Sequence, residues 1–173
     1  MGYLHLLLRD RALTNSPILG WTALPLRLAI GYGFLAHGWA KLSRGPDSFG
    51  QVLATLGVPL PDLAAWLTTI VELAGGGAVI AGIFLPLVSI PLAIVLLTAL
   101  FSIHFQYGYF SVKLAEVTAA GTKFGTVGYE IITIYLAGLV ALALGGPGRL
   151  SLQPLVDRLV GPASRGESPM RQP

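Results

Sequence analysis

Apolar runs long enough to cross a lipid bilayer constrain this chain more than any motif it contains. Four stretches, about 18–41, 62–85, 88–107 and 128–144, each approach the ~20 residues that a helix needs to span ~30 Å of hydrocarbon. In lipid every backbone amide must find its partner internally, so such runs are expected as helices. Composition agrees: 54% of the 173 residues are hydrophobic and only 11% charged, with a mean hydropathy of +0.72, whereas soluble domains carry about a quarter charged residues. The expected fold is therefore all-α and integral to the membrane. A four-transmembrane-helix bundle with a C-terminal interfacial helix forms one domain over residues 1–160, followed by a disordered tail over 161–173.

Cysteine is absent, which excludes disulfides, thiolate nucleophiles and cysteine-ligated metal centres as intrinsic features. Lys and Arg are few and dispersed, so the net charge of +3 reads as topological rather than as a nucleic-acid footprint. With four spans both termini share one side. That side carries Arg9, Arg11, Arg149, Arg158, Arg165 and Arg171, six in all, against Lys41, Arg44, Lys113 and Lys123, four in all, in the first and third loops. The bias places the termini in the cytoplasm. No basic run or cleavage site marks the start as a removable signal peptide.

Local signals divide the chain further. Residues 1–15 read as an amphipathic arm, and Ser16-Pro17 opens the first span, which Pro25 is expected to kink. Residues 43–61 read as a structured loop with one amphipathic turn around 49–56. Ala74, Ala78 and Gly82 recur every four residues and offer a face on which a neighbouring helix can sit closely. Residues 108–126 read as a polar, aromatic loop, Gly145-Gly146-Pro147-Gly148 stops the fourth span, and 150–160 has the pattern of an amphipathic surface helix.

Function in such a chain shows in what it keeps in lipid at a cost. Arg27, His37, Lys41, Glu72, His104 and Glu130 lie in or at the edges of the spans. On a helix Arg27, Phe34, His37 and Lys41 share one arc of about 80°, so the first span carries one inward polar stripe. Counting from Lys41 at ~1.5 Å per residue puts His37 ~6 Å deep and Arg27 ~21 Å deep, and Glu72 ~15 Å in from Asp62. Arg27 and Glu72, opposite in charge at similar depth, are expected to pair, below a shallower ring of His37, Lys41, His104 and Glu130. No close ligand motif marks a metal site.

The succession Arg27-Leu28-Ala29-Ile30-Gly31, His37-Gly38-Trp39-Ala40-Lys41-Leu42, Glu72 before Gly75-Gly76-Gly77, His104, Glu130 and Gly146-Pro147-Gly148-Arg149-Leu150-Ser151-Leu152 resembles the DoxX family of small four-helix bacterial membrane proteins, over about 22–153. The resemblance implies a multi-pass inner-membrane protein, such as the small subunit of a thiosulfate:quinone oxidoreductase, passing electrons or protons to quinone. It implies catalytic roles for His37, His104 and Glu130, and contacts to a quinone head or small anion for Arg27, Lys41 and Glu72. Quinone is the cofactor it suggests, with no flavin, haem or metal. Lipid and a protein partner or second copy are the expected company. Related four-helix proteins are membrane chaperones or assembly factors, so a non-catalytic scaffold is the other reading; a transporter would need an internal repeat that the chain lacks.

Overall fold

The computed structural model describes residues 17–119 and 121–160; the arm over 1–15 and the tail over 161–173 lie outside them. After a 3-10 turn, Pro17–Trp21, the chain forms α1 (Ala23–Arg44), α2 (Pro46–Thr55), α3 (Pro61–Ala81) and α4 (Leu85–Ala99). A π turn, Leu100–His104, and a 3-10 turn, Phe105–Tyr107, prolong α4. The antiparallel strands β1 (Leu114–Thr118) and β2 (Gly121–Phe124) follow, then α5 (Glu130–Gly145) and α6 (Gln153–Val160). Two stretches are long and apolar enough to cross a membrane: α3, with 21 residues, and the continuous 23 residues from Leu85 to Tyr107. On its own α5, with 16 residues, reaches only ~24 Å. α1 has the length, with 22 residues, but carries Arg27, Lys41 and Arg44.

Glycine contacts decide how the long helices meet. A Cβ on Gly76 would lie 2.8 Å from the Gly31 carbonyl oxygen, and one on Gly38 would lie 2.8 Å from Leu73 Cγ. α1 and α3 therefore pack antiparallel and nearly backbone to backbone. Gly75 receives Leu92 of α4, and Gly138 of α5 receives Ile30 of α1. Each of α1, α3, α4 and α5 thus touches two of the others, around a core of Ile30, Phe34, Val79, Leu85, Leu92, Leu139 and Leu142. Outward faces remain apolar: Ile70, Leu87, Ile90 and Ile134 are all more than half exposed. Arg27 and Glu72, by contrast, are buried, which is the distribution expected where lipid is the solvent. Gly76→Val should lower stability by ~3 kcal/mol and separate α1 from α3, measured as loss of the folded fraction in detergent-melt assays; a change under ~1 kcal/mol would refute backbone-level packing.

Several expectations need correction. The segment Ala74–Ala78–Gly82 is not the close-packing face: Ala74 is exposed, and Gly82 lies past the end of α3 in a left-handed conformation, φ 68°. Its amide and that of Ile83 cap the last carbonyls of α3, a stop that glycine accommodates without a Cβ penalty. Pro25 sits in the first turn of α1, where no earlier carbonyl awaits its missing N–H, so it starts the helix rather than kinking it. The amphipathic turn at 49–56 extends into the ten-residue α2. The all-α expectation misses the hairpin, in which Leu114 faces Phe124 and Glu116 faces Lys123 across the strands. Alternation in Leu114-Ala115-Glu116-Val117 is interrupted by an irregularity between Leu114 and Glu116, which hides the period-2 signal.

Candidate functional site

At the end of the molecule where α1 and α4 finish and α5 begins, a cavity of about 600 Å3 opens between α1, α2, α4 and α5. His37, Lys41, Glu72 and His104 all line it, so four of the six polar residues singled out in the sequence converge. Its walls are mostly apolar, from Phe34 on α1, Val95, Leu96 and Ile103 at the end of α4, and Ile131 and Ile132 on α5. Few polar groups set in apolar walls is the usual make-up of a small-molecule site.

Lys41 and Glu72 form an ion pair, Nζ to Oε2 2.5 Å, with Lys41 also over the Phe49 ring of α2 at 5.0 Å. This replaces the expected Arg27–Glu72 pair. Because α1 and α3 run antiparallel with Gly38 against Leu73 and Glu72, the middle of α3 faces the end of α1, not its start. The Glu72 side chain is only 6% exposed and that of Lys41 16%, so each charge is compensated where water is scarce.

Arg27 lies at the opposite end of the molecule and does not line the cavity. Its guanidinium donates through Nε to the Val79 carbonyl at 3.1 Å, through Nη1 to Pro147 at 2.9 Å and Arg149 at 3.3 Å, and through Nη2 to Ile80 and to Leu150 at 3.2 Å. At the end of α3 the Val79 carbonyl otherwise receives only the Gly82 cap amide, at 3.1 Å, and the Ile80 carbonyl is beyond the reach of intrahelical amides. One cation therefore ties α1 to the end of α3 and to the Gly146-Pro147-Gly148 turn after α5. The turn is further stitched by Arg149 N–H to the Gly20 carbonyl and Leu152 N–H to the Ala81 carbonyl. Gln153 at the start of α6 accepts the Phe84 N–H at 2.7 Å, which caps α4.

Glu130 is at the cavity end yet serves the loop beside it. Its carboxylate accepts the Ser111 N–H at 3.0 Å, and the Ser111 hydroxyl in turn accepts the Ile131 N–H. Gly128 next to it packs against the carbonyls of Gly108, Tyr109 and Phe110, where any Cβ would come within 2.1 Å of an oxygen. These contacts hold the strand of backbone at Val127, whose carbonyl accepts a hydrogen bond from His104 Nδ1 at 2.9 Å. His37 is exposed at the cavity rim.

Tyr135 of α5 was not singled out in the sequence. It lines the cavity and meets Phe34 edge to face at 5.6 Å, with its hydroxyl so close over Gly33 that a Cβ there would be 1.8 Å away. Gly33 was the available signal, since it marks a close approach without naming the partner. The π turn that brings Ile103 and His104 to the cavity wall was equally silent in the sequence; such turns recur at functional sites.

Residues 22–105 match the model of the DoxX family, the family that the sequence motifs resemble. The matched stretch holds Arg27, His37, Lys41, Glu72 and His104, while Glu130 and the Gly-Pro-Gly turn lie beyond it. No curated protein and no solved structure matches the chain.

Proposed function

We propose, from the premise that this chain is a DoxX-family membrane protein, that its cavity binds the head of a quinone and that the chain serves as the small membrane subunit of an oxidoreductase. In this reading four helices cross the inner membrane with the termini in the cytoplasm. The observation that carries it is the convergence of His37, Lys41, Glu72 and His104 on one apolar-walled cavity. About 600 Å3 lies within the range of small-ligand sites. The residues fit such a head: Phe34, Leu96 and Ile132 flank a flat ring, while Lys41 and the histidines offer polar contacts at its edge.

A quinone supplies two-electron, two-proton redox chemistry when bound. The chain contributes binding, orientation and proton handling. Lys41, held by Glu72, directs a positive charge at an accepting oxygen, and His104, fixed by the Val127 carbonyl, sits where a proton can be held. Electrons come from a partner subunit. Arg27 and Glu130 act in this reading by holding the ends of the helices and the loop behind His104, not by touching the ligand.

A scaffold role is the competing reading, favoured by the exposed apolar side chains Leu114, Val117 and Phe124 of the hairpin. Purification in mild detergent with mass spectrometry of the associated lipids and proteins separates the two. Wild type should retain quinone, and His37→Ala should lower that retention about tenfold, the loss of one good hydrogen bond, at unchanged membrane yield. A stoichiometric protein partner without quinone would reject the redox reading in favour of the scaffold.

A further inference from the structure

The ring of His104 is tied down on one side only. Its Nδ1 lies 2.9 Å from the Val127 carbonyl oxygen, and a carbonyl oxygen can only accept, so the hydrogen of a neutral ring resides on Nδ1. The other nitrogen, Nε2, then carries a lone pair, and among the described residues no hydrogen-bond partner meets it. The tether is firm. Gly128 is wedged against three carbonyls, its N–H donates to the Phe110 carbonyl at 3.1 Å, and the Tyr129 and Glu130 amides donate to Gly108 and Tyr109. Stacking of Phe105 on Tyr129, 5.9 Å between centroids, locks the residue after His104 to the same loop. Turning the ring over would forfeit the Val127 bond, so the tautomer is built in.

We propose that His104 presents an Nε2 lone pair to the cavity and so selects the hydroxyl-bearing, reduced form of a quinone-type ligand over its carbonyl form. This rests on the quinone reading of the same cavity. A ligand hydroxyl donates to Nε2, whereas a ligand carbonyl would set lone pair against lone pair and leave a polar atom unpaired in an apolar site. The other groups facing this cavity do not remove the preference. On α1, His37 is at the exposed rim and Arg44 also lines the wall; Lys41 is engaged by Glu72 of α3, and α5 contributes the Tyr135 phenol. Lys41 and Arg44 donate to either form alike, because a hydroxyl oxygen accepts as a carbonyl oxygen does. A discriminating site of this kind works by the contact it denies to the wrong form.

The test uses the full chain in detergent, without oxygen, titrated with a short-chain benzoquinone and with its hydroquinone. The hydroquinone should bind about tenfold tighter. His104→Asn keeps a donor where Nδ1 was and removes Nε2; it should bring the two affinities within about twofold. Equal binding of both forms by wild type overturns the proposal while leaving the quinone reading standing. Binding of neither form overturns both. The wild-type comparison needs no variant, so the result does not depend on whether His104→Asn folds.

Discussion

Arg27→Met should leave little folded protein. The side chain is 1% exposed and donates to five backbone carbonyls from two segments, the end of α3 and the turn after α5. Hydrogen bonds from a charged donor contribute roughly 1.5–3 kcal/mol each, and buried acceptors left bare add a further penalty. Shared geometry makes these terms less than additive, so an overall loss of about 4 kcal/mol is expected. That is a large part of the stability of a chain this size. Arg27→Lys keeps the charge but lacks the planar fork that reaches several carbonyls at once, and should recover less than half of it. Gly82 has no room for a Cβ, which would come 2.6 Å from the guanidinium carbon, so Gly82→Ala should weaken the same clamp. Folded yield and melting in detergent measure all three. A stable Arg27→Met protein that still binds ligand would show that the clamp is dispensable.

Lys41→Met should be nearly as harmful, through a different cause. It strands the Glu72 carboxylate, 5% exposed as a residue, without its only salt-bridge partner among the described residues. Breaking a buried pair by removing one member typically costs about 3–5 kcal/mol, whereas replacing both members by apolar residues of similar size is often close to neutral. Lys41→Met with Glu72→Leu should therefore melt within about 1 kcal/mol of wild type while losing ligand retention. That split separates what the pair does for the fold from what it does in the cavity. Were the double variant as unstable as the single one, the pair would be a structural necessity and no reporter on binding. If the double variant kept full ligand retention, Lys41 would not be a ligand contact.

Much of this organisation is legible in the residues alone. Length and apolarity locate the four long helices to within a few residues at most ends. Pro61 opens α3, and Gly145-Gly146-Pro147-Gly148 marks the end of α5. Counting rise per residue is enough to bring His37, Lys41, Glu72 and His104 to one end. The same counting cannot pair Arg27, because depth along a helix carries no information about which helix face meets which neighbour. Its true partners are carbonyls, present at every residue and so without a signature in sequence. The hairpin and the π turn elude a reading by periodicity for a related reason: each departs from regular repeat by one residue.

What the sequence by itself determined is the solvent, the helices and the end at which ionisable groups gather, since these follow from hydropathy, turn chemistry and a fixed rise per residue. Only the tertiary structure decided that Glu72 pairs with Lys41, that Arg27 caps α3 and the turn after α5, and that His104 bonds to Val127. The first two choices depend on the rotation and register of α1 against α3 and α5, which close contacts at Gly31, Gly38, Gly76 and Gly138 set between backbones and side chains far apart in the chain, and the third on the loop that Gly128 packs against the carbonyls of residues 108–110.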